Sequence, residues 1–148
     1  MAIYRTENSL QTENIGIRLA ESVPYGSVIA MFGDLGAGKT AFTRGFAKGM
    51  GIESDVSSPT FALVNEYRGN GKVLYHFDMY RISGWDDLYS TGYFDYLDDG
   101  ATLIIEWSEN IEAVLPENCI KVAITKTSNP DERIIEITGA DLLENTVN

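Results

Sequence analysis

The residues best suited to chemistry form one glycine-rich run, GDLGAGKT, from Gly33 to Thr40. The run matches the phosphate-loop pattern G-x-x-x-x-G-K-[ST] at every fixed position, between an apolar strand and a predicted helix. Glycines let backbone N–H groups turn inward around an anion, and the start of a helix adds a favourable dipole. In this pattern Lys39 reaches the β- and γ-phosphates and the Thr40 hydroxyl ligates Mg²⁺. The run therefore predicts a site for a nucleoside triphosphate and magnesium.

Such a loop also needs an acid to hold Mg²⁺ or to position water, and two strand ends offer one. Glu106 ends the apolar run LIIE, the place of a Walker B acid, although a solvent-facing acid at a strand end is the plainer interpretation. Asp78 ends VLYHFD at a similar point of the topology, and an ion pair with Arg81 would explain it equally well. His76 is more typical of a packed, hydrogen-bonded histidine than of a catalyst.

Two further segments bear on the nucleotide. The run SSPTF, residues 57–61, places Thr60 where switch-type NTPases carry a threonine that senses the γ-phosphate and Mg²⁺. A proline-fixed turn that enters a strand is the alternative interpretation of this run. A guanine-specific N-K-x-D motif is not matched, because the most similar run, TKTS at residues 125–128, lacks the acid. Adenine is therefore the favoured base.

Composition restricts the partners and the compartment. Of 148 residues, 22 are acidic and 11 are basic, for a formal net charge of −11. This balance argues against direct binding of RNA or DNA, because affinity for nucleic acid rests on lysine and arginine, so any RNA role goes through a partner. The lone Cys119 and the single histidine exclude an internal disulfide and a multi-histidine metal site, which fits a reducing cytosol. No apolar run approaches the roughly 20 residues that span a bilayer, and no signal core opens the chain. We expect a cytoplasmic protein without membrane contact.

The elements that must position these residues alternate between helix and strand early, and strands dominate later. Strands are predicted over residues 2–5, 26–32, 61–68, 72–80, 101–107, 119–125 and 133–138. Helices are predicted after a cap at Asn8 or Ser9, over residues 40–50 and 109–114, and as one helix or two short turns over 85–97. No linker divides the chain, so residues 1–148 form one predicted domain with a flexible tail after about residue 139. The fold class is α/β, a P-loop NTPase-like three-layer sandwich with a mixed parallel and antiparallel sheet.

Four motifs, GDLGAGKT, SPTF, HFDMYR and IEWSE, in this order and at these separations, resemble the TsaE family (formerly YjeE) of bacterial ATPases of tRNA threonylcarbamoyladenosine biosynthesis. The resemblance spans roughly residues 9–137. It implies a P-loop fold and an ATPase that is slow alone and acts with the TsaB–TsaD pair, with ATP and Mg²⁺ as cofactors. In that family TsaD transfers the threonylcarbamoyl group to the adenosine beside the anticodon, and ATP binding and hydrolysis by TsaE reset the complex. The tRNA is thus met only through the partners.

The resemblance also implies roles for individual residues. ATP contacts would come from Ser9, which a simple helix cap explains equally well, and from Asp78. They would also come from the loop residues Gly33, Asp34, Leu35, Gly36, Ala37, Gly38, Lys39 and Thr40. The implied catalytic residues are Lys39, Glu106 and Asp78, and the implied metal ligands are Thr40 and Glu106. The implied switch-like residues are Thr60 and Trp107.

Slow turnover has a rationale in the sequence as well. Fast P-loop hydrolysis uses an arginine finger worth about 10³–10⁵ in rate, and Arg44 and Arg81 lie in no obvious finger loop. A small P-loop kinase that phosphorylates a small-molecule acceptor is the alternative function, although little sequence remains for an acceptor pocket and a lid. A nucleotide-sensing module without hydrolysis is a third. An exposed acidic face is either solvated or a docking site for a basic partner; it comprises Asp86, Asp87, Asp95, Asp98 and Asp99.

Overall fold

The computed structural model describes residues 1–33, 38–53, 55–57 and 63–142. The strands in this part of the chain are β1 (Ala2–Thr6), β2 (Val28–Phe32), β3 (Val64–Gly69), β4 (Lys72–Asp78), β5 (Thr102–Glu106), β6 (Ile120–Lys126) and β7 (Arg133–Thr138). The helices are α1 (Ser9–Ser22), α2 (Lys39–Gly49), α3 (Trp85–Ser90) and α4 (Tyr93–Asp98), with a 3₁₀ helix at Ser108–Val114. None of these helices combines the length and the apolar character needed to cross a membrane.

All seven strands form one sheet in the order β1-β7-β6-β2-β5-β4-β3. The four central strands, β6, β2, β5 and β4, pair in parallel. Antiparallel pairs add β7 and β1 at one side and β3 at the other. The prediction of a mixed sheet is confirmed, and β2, which leads into the phosphate loop, lies at its centre.

Two apolar cores lie on opposite faces of the sheet and make the predicted three layers. Alternation along β5 shows the arrangement, since Ile104 joins one core while Leu103 and Ile105 join the other. The first core packs under α1 and α2, through residues such as Leu19 and Phe42. The second packs under α3, α4 and the 3₁₀ helix. The strand ends between these two layers are therefore held from both faces.

The helices α1 and α2 touch through their backbones at two glycines. A Cβ on Gly16 would lie 2.2 Å from the carbonyl oxygen of Phe42, and one on Gly45 would lie 1.8 Å from that of Glu13. The buried Glu13 carboxylate also pairs across this contact with Lys48 and with Arg44, whose Nη1 is 3.7 Å away. Because α2 begins with Lys39, this contact fixes the helix that presents the phosphate-loop lysine.

Element boundaries differ from the predictions for identifiable reasons. Asn8, not Ser9, caps α1, because its side chain accepts a hydrogen bond from the Gln11 amide at 2.9 Å. The 85–97 segment forms two short helices, which separate at Gly92 with a φ of +77°. The strand predicted over 61–68 is β3, which begins at Val64, and residues 61 and 62 lie outside the described residues.

The end of the chain is described as far as residue 142. Ala140 and Leu142 pack against the first core. Residues 143–148 lie outside the described residues, so the flexible tail and the single domain over the full length stay predictions.

Candidate functional site

Parallel pairing brings three of the predicted site residues to one edge of the sheet. Gly33 follows β2, Asp78 ends β4 and Glu106 ends β5, and these three strands are neighbours. The register pairs Asp78 directly with Glu106. Ligands of open α/β sheets bind outside the carboxyl ends of the strands. Residues that are far apart in the chain thus meet where such a fold accommodates a ligand.

The backbone requires glycine at both fixed glycine positions of the loop. A Cβ on Gly33 would lie 2.3 Å from the carbonyl oxygen of Ile124 on β6, and its φ is +140°. Gly38, the N-cap of α2, has a φ of +99°. These two residues are therefore needed for the path of the chain as well as for any contact with phosphate. Asp34, Leu35, Gly36 and Ala37 lie outside the described residues.

Lys39, at the start of α2, is 5% exposed, and its ammonium group contacts Gly33 and Trp107. Its Nζ donates a hydrogen bond to the Gly33 carbonyl oxygen at 2.8 Å and lies 4.1 Å from the centre of the Trp107 ring. Trp107 has left-handed φ and ψ of +59° and +41°, a conformation that costs a non-glycine residue roughly 1–2 kcal/mol. Its ring also packs 4.9 Å from that of Tyr80. This strained residue thus places an aromatic face against the lysine, as expected at a functional site.

Glu106 is buried, with 4% exposure, so the plainer interpretation of a solvent-facing acid is wrong. Its Oε2 lies 2.7 Å from Nε2 of His76, which is itself fully buried. The other ring nitrogen, Nδ1, lies 3.2 Å from the Tyr67 hydroxyl. His76 is packed and hydrogen-bonded, as the sequence indicated, but its partner is the predicted metal ligand.

Asp78 is half-buried beside Glu106, and its Oδ1 accepts a hydrogen bond from the Tyr80 amide at 2.9 Å. Burial raises the pKa of the Asp78 carboxyl, and the negative charge of Glu106 raises it further. The Tyr80 bond and the positive charge of Lys39 act in the opposite direction. Arg81 is exposed, and no Asp78–Arg81 ion pair occurs in the described part of the chain. The arrangement favours a role for Asp78 inside the site over the ion pair that the sequence left open.

The residues present fit a magnesium ion. Asp78 and Glu106 carry charges that repel each other across paired strands, and a divalent cation relieves that repulsion. Among the described residues no group of three or more His, Cys, Asp or Glu side chains could enclose a metal. Magnesium at nucleotide sites is held by one or two carboxylates with substrate phosphates, rather than by an all-protein cage. Thr40, the second residue of α2, is the hydroxyl ligand that the loop pattern provides.

Ser9 lies in a small groove that adjoins the loop. The groove has a volume of about 230 Å³. Its lining residues are Asn8, Ser9, Thr12, Gly38, Ala41, Pro130, Asp131 and Arg133. The structure therefore places Ser9 next to the start of α2, although its cap role belongs to Asn8. Thr60 lies outside the described residues, so its switch-like role stays a prediction.

The remaining charged candidates are Arg44 and the aspartates of the acidic face. Arg44 pairs with Glu13 in the α1–α2 contact. All five aspartates of the acidic face are exposed. Two of them support local structure, because Asp87 accepts hydrogen bonds from Ser83 and Asp99 accepts one from the Tyr75 hydroxyl.

Sequence reasoning missed the link from Tyr67 through His76 to Glu106, and it missed Arg133 in the Ser9 groove. The sequence did contain one signal for the contact between His76 and Glu106. His76 and Asp78 alternate on β4, so they share a face, and in-register pairing with β5 brings that face beside Glu106. The contact of Tyr67 with His76 depends on the β3–β4 hairpin register, which the motifs do not specify.

Comparisons with known proteins agree on one family. The family model described as "Threonylcarbamoyl adenosine biosynthesis protein TsaE" matches residues 6–135. The tRNA threonylcarbamoyladenosine biosynthesis protein TsaE of Bacillus subtilis is 39% identical over 92% of this chain and 84% of that protein. The protein of the same name from Treponema pallidum is 31% identical over 87% of this chain and 95% of its own length. The crystal structure of YdiB from Bacillus subtilis superposes with a TM-score of 0.74 at 36% identity, over 90% of this chain and 82% of that one. The chain therefore belongs to the TsaE family of tRNA threonylcarbamoyladenosine biosynthesis proteins.

Proposed function

We propose that this chain binds ATP with Mg²⁺ at the carboxyl edge of β2, β4 and β5 and hydrolyses it slowly. The observation that carries the proposal is the convergence of a buried lysine and two carboxylates beside a phosphate-loop sequence. Lys39 and Glu106 both act on the pKa of Asp78, which means that all three side chains share one electrostatic environment. One cation and two acids around a phosphate loop are the groups that phosphoryl transfer to water requires.

Each residue has a distinct part in this mechanism. Lys39 exchanges its hydrogen bond to the Gly33 carbonyl oxygen for the β- and γ-phosphate oxygens. Thr40 and Glu106 hold Mg²⁺, which when bound neutralises charge that develops on the phosphate oxygens. Asp78 orients the attacking water and accepts its proton, a task that its raised pKa favours.

Slow turnover is expected because the arginine side chains near the site are engaged elsewhere or exposed. The guanidinium of Arg44 is engaged with Glu13 in the α1–α2 contact, and Arg81 is exposed beyond β4. Arg133, which lines the groove beside Gly38, donates through Nη1 to the carbonyl oxygens of Pro130 and Glu132. These placements commit none of the three arginines to the phosphates, and an arginine at that place is worth about 10³–10⁵ in rate. A partner that supplies or positions one would accelerate the reaction.

We place this activity in the cytoplasm, on the TsaB–TsaD complex, where ATP binding and hydrolysis reset the complex between cycles of threonylcarbamoyl transfer. The supporting observations are family membership and charge. Residues 82–120 contain eight exposed acidic residues, besides the buried Glu106, and no lysine or arginine, so this part of the surface repels RNA. The chain therefore meets tRNA through its partners and does not itself transfer the threonylcarbamoyl group.

ATP turnover, measured for the chain alone and with purified TsaB–TsaD, tests the proposal. We expect slow turnover alone, faster turnover with the pair, and a loss of about 10²–10³ in kcat for Lys39→Ala, comparable to removal of one transition-state donor. Lys121→Ala is the matched control, since it removes an exposed lysine near the start of β6, at the opposite end of that strand from the proposed site. If TsaB–TsaD leaves the turnover unchanged and a small phosphoacceptor raises it, the result would instead support the alternative function, a small P-loop kinase.

A further inference from the structure

The buried His76 has a hydrogen-bonding partner at each ring nitrogen, and the two partners lie on different functional segments. Nε2 is 2.7 Å from Glu106 Oε2, and Nδ1 is 3.2 Å from the Tyr67 hydroxyl. Tyr67 is 6% exposed and His76 is fully buried, so water does not compete for these bonds. Beyond Tyr67, the amide of Ser57 donates to the same hydroxyl at 3.3 Å.

The proton between His76 and Glu106 can be assigned, because a carboxylate oxygen accepts and Nε2 must therefore carry the imidazole proton that is donated to Oε2. The Tyr67 hydroxyl shares its one proton between the Ser57 carbonyl oxygen at 3.0 Å and His76 Nδ1 at 3.2 Å. The same carbonyl oxygen, which has two lone pairs, also accepts a hydrogen bond from Asn65 Nδ2 at 3.0 Å. Tyr67 therefore joins His76 to both backbone groups of Ser57.

We propose that Tyr67 and His76 are positioning residues that hold Glu106 in the orientation that ligates Mg²⁺ and that link this ligand to the backbone at Ser57. The inference rests on the proposed function, because it needs Glu106 to act on Mg²⁺. A histidine that donates to one oxygen of a carboxylate fixes its rotamer and leaves its charge intact. Groups behind a metal ligand commonly contribute 10–100-fold to metal affinity or activity.

The row of hydrogen bonds from Ser57 through Tyr67 and His76 to Glu106 links two parts of the fold. Ser57 lies upstream of β3, while Glu106 ends β5, and the connection between them crosses β3 and β4 through side chains alone. On β4, the Asp78 amide donates to the Leu63 carbonyl oxygen at 2.9 Å, so the segment before β3 is tied to the site at a second point. A change at Glu106 on Mg²⁺ binding is thus transmitted to the Ser57 amide.

Two substitutions of His76 separate its bonds. His76→Gln can keep a donor near the position of Nε2, toward Glu106, and loses the bond to Tyr67. His76→Asn keeps a polar group near the position of Nδ1 but falls short of Glu106. Tyr67→Phe removes only the hydroxyl. The matched control is Tyr75→Phe, which removes the hydroxyl of a second buried tyrosine; Tyr75 lies on β4, and its hydroxyl donates to the exposed Asp99 at 3.1 Å.

The readout is the apparent Mg²⁺ affinity of the chain with saturating ADP, titrated by tryptophan fluorescence, together with the NMR shift of the Ser57 amide on Mg²⁺ addition. We expect His76→Asn to weaken Mg²⁺ binding by about 10–100-fold and to abolish the Ser57 response. His76→Gln should recover most of the Mg²⁺ affinity without the Ser57 response, Tyr67→Phe should lose the response with a smaller loss of affinity, and Tyr75→Phe should match the wild type.

Equal losses in His76→Asn and His76→Gln, or unchanged Mg²⁺ affinity and Ser57 response in Tyr67→Phe, would overturn the proposal and leave His76 a packing residue. Circular dichroism identifies a variant that fails to fold, and Tyr67→Phe then carries the test. A wild-type chain that binds no Mg²⁺ with ADP would refute the proposed function itself, which keeps the two failures distinct.

Discussion

Replacing Gly45 by alanine should destabilise the fold and loosen the start of α2, because the helices α1 and α2 touch through their backbones at this residue. The new Cβ would lie 1.8 Å from the Glu13 carbonyl oxygen, whereas real Cβ contacts essentially never fall below 3.0 Å. The helices must therefore separate by at least about 1.2 Å, the difference between these two distances. Neither atom can rotate aside, since one is backbone and the other is fixed to it.

The magnitude follows from two opposing effects. Overpacking costs typically about 1–3 kcal/mol, and sometimes more, while alanine in place of glycine inside a helix gains about 1 kcal/mol. Because the clash is with backbone, we expect the upper end of the cost and a net loss of about 2 kcal/mol or more in the free energy of unfolding. For a chain of this size that corresponds to a fall in Tm of roughly 4–8 °C.

Urea denaturation followed by far-UV circular dichroism measures the loss, and ADP affinity reports on α2. The matched control is Gly84→Ala, because Gly84 has an extended φ of −167° and a Cβ added there would have no described atom within 4 Å. Gly84 is the N-cap of α3, where alanine is less favourable than glycine, so we expect the control to cost at most about 1 kcal/mol. Equal stability of the two variants would refute the reasoning that backbone contact fixes α2.

Three further predictions concern the site and the second core. Burial raises the pKa of Asp78, so its ionised form costs stability at neutral pH, and Asp78→Asn should stabilise the chain without nucleotide at pH 7. This gain should shrink as the pH falls through the raised pKa and vanish below 3.8, the ordinary aspartate pKa, where the folded and the unfolded wild type both bind the proton. Urea midpoints at pH 7 and below that ordinary pKa check it, and a less stable variant at pH 7 would contradict it. In a Trp85→Phe background, Mg²⁺ and ADP should change the Trp107 emission because Lys39 leaves its ring, and Lys39→Met should remove that change. Burial raises the pKa of Tyr93 to about 12, so its hydroxyl stays protonated and donates at 3.1 Å to a carbonyl of the 3₁₀ helix. Tyr93→Phe should therefore cost about 1 kcal/mol in urea denaturation and leave ADP affinity unchanged.

The sequence predicts the parts of this site that depend on local pattern. The phosphate loop follows from fixed spacing, and Glu106 follows from an acid at the end of an apolar strand. The burial of Glu106 was not predictable in this way, because it depends on His76 and on the parallel register of β4 and β5. For Asp78 the motif left an ion pair with Arg81 equally open, and only the packing of the next strand decides between them.

The cap of α1 and the contact between α1 and α2 show the same distinction between what local sequence predicts and what depends on the folded structure. A cap at Asn8 or Ser9 is equally compatible with the residue types, and the choice depends on backbone geometry at the first turn. The close contact of α1 with α2 is carried by Gly16 and Gly45, which in sequence look like helix-weakening residues. Their reason is tertiary, since each glycine leaves room for the backbone of the other helix.

The central position of β2 has a consequence for the order in which the molecule is made. Both strands that flank β2 come much later in the chain, since Val28 pairs with Leu103 and Ile29 pairs with Ile120 as well as with Ile104. During synthesis the phosphate loop therefore leaves the ribosome long before either neighbour of its strand exists. Such long-range parallel pairing forms slowly, and the apolar strands stay exposed until it has formed. The strand ends that form the candidate site cannot meet until β5 and β6 have been translated, so assembly of this site and completion of the central sheet are a single late event.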